Sequence, residues 1–217
     1  MTAFGETIVS SRGSEASFWN GIAGKYARSP VKDQASYSRT LDATLALTGP
    51  DSLVYEMGCG TGSTALHLAR HVARVVATDV SDEMIRIARG KAVGVDNVEF
   101  RVESAEDVGL AGAFDLAVCF NTLHLIADRQ AAIQKIHKAL KTGGHFVSKT
   151  PCLGSISLIL APIIGVMAAL GQAPRVYFFS QDELIRSIEA AGFEIVSVEG
   201  HDAKRPQARP FIVARKC

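Results

Sequence analysis

Short apolar runs alternate with longer amphipathic stretches along most of the chain from Leu53 onward. Apolar runs of roughly four to eight residues bounded by turns are typical of buried strands, and apolar spacings of three and four predict helices. Strands are predicted at SLVYEM, RVVAT, NVEFRV, FDLAVCF and HFVSKT. Helices are predicted at STALHLARH, DEMIRIARGKA and DRQAAIQKIHKALK, the second capped by Ser81 and the third ending at Gly143-Gly144. This alternation predicts an α/β protein with a parallel, doubly wound sheet.

The two ends of the chain depart from that alternation. Two helices are predicted before the first strand, at EASFWNGIAGKYA and YSRTLDATLAL, with a break at Ser29-Pro30. Near the other end, Ser180 and Glu183 have the spacing of a capping box before LIRSIEAA, and Gly192 closes that helix. The last two strands, FEIVSV and PFIVARK, are separated by the polar run GHDAKRPQAR, which is too short for a helical crossover. They are therefore predicted to pair antiparallel.

Composition narrows the class of protein. The 217 residues suit one domain, and 23 basic against 22 acidic side chains disfavour a nucleic-acid-binding surface. The four cysteines are far apart, with no C-x-x-C pair, which argues against a disulfide framework and a zinc site and fits a reducing cytosol. No basic segment followed by an apolar run opens the chain, so no signal peptide is predicted and the expected location is cytoplasmic.

A long uncharged segment follows the fifth predicted strand. No charged residue occurs from Thr150 to Pro174, and the apolar part of it, residues 153–171, is long enough to span a bilayer. A span would interrupt the sheet, however, and no basic clusters flank the segment. A lid over the site is the preferred interpretation; contact with a membrane surface, a homodimer interface and a true span remain open. An apolar lid indicates a hydrophobic substrate.

The strongest chemical signal is the loop Glu56-Met57-Gly58-Cys59-Gly60-Thr61-Gly62, which joins a predicted strand to a predicted helix. Glycines there allow a tight turn and a close approach to a ligand, and Asp79, at the end of the next strand, can accept hydrogen bonds from ribose hydroxyls. Ser63 stands where a dinucleotide-binding loop has Gly or Ala, and no P-loop lysine follows. A carboxylate at Glu56 would repel a pyrophosphate and attract a cation. These features indicate S-adenosylmethionine (SAM), which carries a sulfonium and an ammonium group.

These segments resemble the class I SAM-dependent methyltransferases, most nearly the small-molecule group that includes the ubiquinone/menaquinone-type enzymes. The resemblance is close from VYEMGCGTGSTALHLA through VVATDVSDEMIRIA and FRVESAEDVGLAGAFDLAVCFNTLHLIAD to IHKALKTGGHFVSKT. It implies a Rossmann-like seven-stranded sheet of order 3-2-1-4-5-7-6 with strand 7 antiparallel, N-terminal helices and a lid insertion after strand 5. It also implies methyl transfer from SAM to a small, hydrophobic acceptor by in-line displacement.

The resemblance assigns the cofactor-binding residues. The methionine part of SAM is expected beside Glu56 and the loop Gly58, Cys59 and Gly60, with Asn121 at the end of strand four. Asp79 is expected to hold the ribose. The adenine is expected near Val80, Met84, Ser104, Ala105 and Glu106, although the family often has an aspartate at Ser104. No metal is predicted.

Catalytic groups are less well defined than the cofactor site. His124, Tyr26 and Asp128 are candidates for a general base, and His124 is more readily interpreted as a hydrogen-bonded structural histidine. Phe18, Trp19 and Tyr26 resemble the aromatic opening of many small-molecule methyltransferases, where this helix folds over the SAM pocket. Two alternatives remain open: a nicotinamide-dependent Rossmann oxidoreductase, and a non-enzymatic SAM-binding or membrane-associated module.

The domain organisation follows from these assignments. A single domain, 1–217, is predicted to comprise an N-terminal helical cap (1–49), a SAM-binding core (50–150), an apolar lid (151–179), and a C-terminal helix with two strands (180–217). The expected partner is a small, apolar substrate, with no nucleic acid. Contact of 153–171 with a membrane surface and a homodimer are the further partner hypotheses.

Overall fold

A seven-stranded sheet forms the centre of the molecule. The computed structural model describes residues 4–104, 111–154, 157–202 and 206–217. The strands are β1 (Leu53–Met57), β2 (Arg74–Asp79), β3 (Val98–Val102), β4 (Phe114–Phe120), β5 (Leu140–Lys149), β6 (Phe193–Gly200) and β7 (Pro210–Lys216). Their order is β3-β2-β1-β4-β5-β7-β6. β7 runs antiparallel to both β5 and β6, whereas the other neighbouring strands are parallel. The predicted fold class, strand order and final hairpin are confirmed.

Seven helices are described around this sheet. They are α1 (Phe4–Arg28), α2 (Gln34–Leu45), α3 (Ser63–Leu68), α4 (Asp82–Lys91), α5 (Arg129–Ala139), α6 (Ser157–Ala169) and α7 (Gln181–Ala190). Two helix starts are fixed by the predicted caps. The Ser81 hydroxyl accepts from the Met84 N–H at 3.1 Å, and Ser180 and Glu183 form a reciprocal capping box.

The predicted end of α5 is wrong. The helix ends at Ala139 rather than continuing to Gly143-Gly144, because the buried Leu140 pairs with Phe114 and begins β5 there. The register between β4 and β5 then shifts before Leu116 pairs with His145, so the two glycines lie within an irregular strand. The sheet pairing of Leu140 therefore overrides the helical periodicity that includes Ile133 and Ile136.

Both faces of the sheet are covered, which explains why its strands appear in the sequence as continuous apolar runs. One buried cluster joins strand residues such as Tyr55 and Phe146 to α5 and α7, and a second joins Val54 and Val118 to α3 and α4. The carboxyl ends of the parallel strands are the edge where doubly wound folds bind ligands.

Helix α6 occupies the uncharged segment after β5. It has 13 residues, includes Pro162, and exposes Ile163, Val166 and Met167. In the described part of the chain, no helix is both long and apolar enough to cross a membrane.

Candidate cofactor and acceptor site

The glycine-rich loop after β1 is folded tightly against the end of β2. The N–H groups of Gly58 and Cys59 both donate to the Thr78 carbonyl, at 2.8 and 2.9 Å. Gly58 has φ +73°, and a Cβ at this position would overlap the side chain of Thr122. Gly62 has φ +77°, and a Cβ there would come within 2.7 Å of Phe100. Glycine is therefore required at both positions by the backbone conformation and by the close packing.

Asp79, at the carboxyl end of β2, is held in place by the same loop. One carboxylate oxygen accepts from the Gly60 N–H at 2.8 Å, and the other accepts from the Ser81 N–H at 2.9 Å. Burial raises the pKa of Asp79, and the backbone donors of Ser81, Gly60 and Val80 act in the opposite direction. Each oxygen keeps a further lone pair, so the carboxylate can still accept hydrogen bonds from a ligand.

Glu56 is a buried acid with an unsatisfied oxygen. Its side chain lies at the end of β1, is 2% exposed, and its Oε2 has no hydrogen-bond partner in the described structure. Burial raises the pKa of Glu56 to about 8, Asp79 adds to the shift, and the Ala65 backbone N–H opposes it. A buried polar atom without a partner is rare and costly, so it indicates a group that a ligand completes. A cationic ligand fits, because it would favour the ionised carboxylate.

A cavity of about 860 Å³ opens beside this loop. Its lining includes Gly58, Asp79, Val80, Met84, Ser104 and Asn121 of the predicted cofactor site, and also Tyr26. Glu56, Cys59 and Gly60 are not part of that lining; they lie behind or beside it. Ala105 and Glu106 lie outside the described residues. The structure thus brings most of the predicted residues to one cavity, while their individual roles stay predictions.

Helix α1 forms one wall of the cavity. Phe18 and Trp19 make an edge-to-face pair at 5.3 Å, and Trp19 meets Tyr26 at 6.3 Å; all three rings line the cavity. The side-chain oxygen of Asn20 accepts from the Ser81 hydroxyl at 2.5 Å, which ties α1 to the start of α4. The helix is therefore fixed over the site by an aromatic face and a polar contact.

Tyr26 lies against the glycine loop, although half of its surface is exposed. Burial raises the pKa of the Tyr26 phenol, and Asp79 and then Glu56 raise it further. At neutral pH this side chain is therefore a neutral hydroxyl, which suits a hydrogen-bonding wall better than a general base.

His124 is hydrogen-bonded to a buried side chain of the protein. Its Nδ1 is 3.0 Å from the Thr150 hydroxyl, and its carbonyl accepts from the Tyr177 N–H at 2.8 Å. Burial, with a contribution from Arg209, lowers the pKa of His124 to about 4. The ring is not among the cavity-lining residues. These contacts favour a structural histidine, and its catalytic role remains a prediction without a supporting contact.

Asn121 and Thr122 follow β4 at the centre of the edge. Asn121 has φ +53°, a conformation that asparagine tolerates better than most residues, and its N–H donates to the Lys149 carbonyl at 2.8 Å. The Thr122 hydroxyl donates to the Phe120 carbonyl at 2.9 Å and packs beneath Gly58. Thr122 was not predicted; its place next to Asn121 at a strand end was the available signal.

Several other cavity residues were also missed by sequence reasoning. They include Thr78, Glu103, Leu125, Ile126 and Arg175, whereas Ala168 belongs to the predicted lid segment 153–171. Glu103 could have been found, because it follows the carboxyl end of β3 just as Asp79 ends β2. Arg175 is the first charged residue after the uncharged segment, but its position depends on how the chain turns after α6. In the described part of the chain, no group of three His, Cys, Asp or Glu side chains could hold a metal ion.

Comparison with known proteins gives a consistent assignment. Residues 55–148 match the family described as "Methyltransferase domain". The chain is 30% identical over 155 residues to a ubiquinone biosynthesis O-methyltransferase of Xanthomonas axonopodis pv. citri, an alignment that covers 68% of this chain and 64% of the relative. The chain thus spans less than two thirds of that relative's length.

Solved structures show the same fold. An S-adenosylmethionine-dependent methyltransferase from Mesorhizobium loti aligns with TM-score 0.70 and 21% identity, covering 85% of this chain and 99% of that one. The [4+2]-cyclase SpnF also aligns with TM-score 0.70 and 21% identity, covering 87% and 83%. Because the same architecture carries a protein named as a cyclase, activity must be argued from the site. Residues 55–148 are a methyltransferase domain, set in the class I SAM-dependent methyltransferase fold.

Proposed function

We propose that this protein transfers a methyl group from SAM to a small, largely apolar acceptor. The observation that carries the proposal is the buried Glu56 carboxyl with an unsatisfied oxygen, next to a glycine loop that donates a hydrogen bond to Asp79. A buried acid of raised pKa gains most from a cationic ligand, and SAM carries two cationic groups. The methyltransferase domain match supports the same ligand.

Different residues of the site would contact different parts of SAM. Glu56 would balance the ammonium group, and Asp79, already oriented by two backbone N–H groups, would accept from the ribose hydroxyls. Val80, Met84 and Ser104 line the cavity beyond Asp79 and would contact the adenine. Gly58 removes a side chain where the methionine part would pass.

Catalysis in such a site depends mainly on how the acceptor and the methyl group are positioned. Bound SAM would supply an electrophilic methyl carbon with a neutral thioether as leaving group. The chain must then align the acceptor atom with that carbon and exclude water. Phe18, Trp19 and Tyr26 provide an aromatic wall fixed by α1, and Leu125 and Ile126 add apolar surface at the end of β4.

For an acceptor that must lose a proton, the candidate is Asp128, the exposed carboxylate among the three described acids that line the cavity. Asp128 lines the cavity and is exposed, and one of its oxygens accepts from the Ala131 N–H at 2.9 Å as the N-cap of α5. No hydrogen bond from the described residues engages its other oxygen, which can accept a proton from an acceptor hydroxyl. We therefore place Asp128 ahead of His124 and Tyr26 as the proton acceptor for this protein.

The uncharged segment supports an apolar acceptor. Ala168 and Ala169 near the end of α6 line the cavity, while Ile163 and Val166 are exposed on the same helix. A mobile lid, a membrane-surface contact and a homodimer remain predictions for this helix, as does the cytoplasmic location of the protein.

Two alternatives are separated by direct experiments. A nicotinamide cofactor would bring a pyrophosphate towards the glycine loop, where an ionised Glu56 would repel it; titration of NADH against SAM distinguishes the two ligands. A non-enzymatic module would bind SAM without turnover. Incubation with methyl-labelled SAM and a cell extract should yield a labelled small molecule, and Asp79→Ala should strongly reduce the amount of label at subsaturating SAM. Binding of SAM with no labelled product in any extract fraction would favour the module.

A further inference from the structure

The chain reverses direction at the end of α6 and returns to the cavity. Gly171 has φ +68°, and the N–H of Gln172 donates back to the Met167 carbonyl at 2.8 Å, which closes the helix. Residues 173–175 then line the cavity. Two residues further on, the Tyr177 N–H donates to the His124 carbonyl at 2.8 Å. Arg175 is thus held between two backbone anchor points at the cavity wall.

Arg175 is the single basic residue among those that line the cavity in the described structure. Three acids share the lining, and each has an engagement of its own. Asp79 accepts from backbone N–H groups, Glu103 faces Arg101 at 3.6 Å, and Asp128 caps α5. No hydrogen bond or ion pair to Arg175 is found among the described residues. Arg175 is exposed, so its five N–H donors are hydrated and remain available to a ligand.

The surroundings of Arg175 on its own segment are apolar. Ala173 and Pro174 precede it in the chain, and Ala168 and Ala169 line the same cavity. A guanidinium beside apolar surface binds a carboxylate or phosphate through paired hydrogen bonds, and it does so better than a fully hydrated cation.

We propose that Arg175 binds an anionic group, a carboxylate or a phosphate, carried by an otherwise apolar acceptor. The inference rests on the proposed function, because it assigns the substrate class of the same site. A competing role is purely structural: a cation near the C-terminal end of α6 also complements the helix dipole. That role predicts a change of stability without any discrimination between ligands.

The chain's own tryptophan provides the assay. Trp19 is the one tryptophan in the sequence and lines the cavity, so its fluorescence reports on ligands there. The protein is first saturated with S-adenosylhomocysteine (SAH), then titrated at pH 7.5 with octanoate, octyl phosphate or octanol. We expect either anion to bind at least tenfold more tightly than octanol, and the comparison of the two anions identifies the preferred group.

The variants separate charge from packing. Arg175→Gln should lower the affinity for the preferred anion by about tenfold or more, because a charge-assisted hydrogen bond is lost. The affinity for octanol should not change. Arg175→Lys should retain most of the preference. Arg186→Gln is the matched control, since Arg186 is exposed on α7 and does not line the cavity.

Three results of these titrations would contradict the role of Arg175. The proposal is wrong if octanol binds as tightly as the anions, if Arg175→Gln weakens all three probes equally, or if no probe changes Trp19 emission up to millimolar concentration. Calorimetry of SAH binding to the same variants tests the proposed function separately from the role of Arg175. SAH binding that survives in Arg175→Gln leaves the proposed function intact whatever the probes show, whereas failure of the wild type to bind SAH contradicts the function itself.

Discussion

Replacing Glu56 with glutamine should raise stability and weaken SAM binding at the same time. The substitution keeps the shape of the side chain and removes its ionisation. Glu56 has a pKa of about 8 in the folded protein, against an ordinary value of 4.5. At pH 7 the folded carboxyl is therefore mostly protonated, whereas the unfolded one is ionised. One pKa unit corresponds to about 1.4 kcal/mol, so this raised pKa costs about 3 kcal/mol of stability at pH 7.

The sign of the pH dependence follows from proton binding. Between pH 4.5 and about 8 the folded state holds a proton at Glu56 that the unfolded state has lost. The free energy of unfolding of the wild type should therefore fall as pH rises through that window, then level off. Glu56→Gln lacks this contribution, so its stability relative to the wild type should increase steadily from pH 5 to pH 8. Urea unfolding at half-unit intervals of pH measures the difference.

Ligand binding should change in the opposite direction. SAM stabilises the ionised carboxylate, so its binding at pH 7 should release a proton, which calorimetry in two buffers of different ionisation enthalpy detects. Glu56→Gln should lose about tenfold or more in SAM affinity and release no proton, while adenosine binding stays within twofold. Equal weakening of SAM and adenosine, or a stability difference between the two proteins that does not vary with pH, would refute the electrostatic reasoning.

Three further predictions concern the loop, the ribose site and His124. Gly58→Ala should destabilise the protein by several kcal/mol more than Gly94→Ala in urea unfolding, because both positions have positive φ but only a Cβ at Gly58 meets another side chain; equal losses would contradict the packing argument. Asp79→Ala should weaken SAM and SAH by roughly tenfold to a hundredfold in calorimetry, since it removes a charged hydrogen-bond acceptor; unchanged affinity would remove Asp79 from the site. His124→Gln should lower stability by about 1 kcal/mol and leave the pH–rate profile for methyl transfer unaltered, whereas a large loss of turnover at unchanged SAM affinity would make His124 catalytic.

The sheet could be predicted because its signals are local. The strand–helix alternation and the short link between the last two strands follow from apolar spacing and turn residues, and the caps at Ser81 and Ser180 from their own side chains. The end of α5 could not, because Leu140 is removed from the helix by a tertiary pairing with Phe114. Helical periodicity contains no information on that pairing.

In the site, too, the features set by local sequence could be predicted and those set by tertiary packing could not. Gly58 and Asp79 were predictable from a loop motif and a strand end. The burial that raises the pKa of Glu56 comes from neighbouring elements, and the position of Arg175 comes from a chain reversal after α6. Neither burial nor chain reversal has a signature in the spacing of residues, so these two features required the structure.

The identity of the cofactor is the central claim, and equilibrium binding tests it most directly. Calorimetric titration of the purified chain at pH 7.5 with SAM, SAH and NADH compares the three ligands at one site. The account predicts one-to-one binding of SAM and SAH with micromolar dissociation constants and no heat from NADH. Tighter binding of NADH than of SAM, or no binding of SAM and SAH at millimolar concentration, would contradict it.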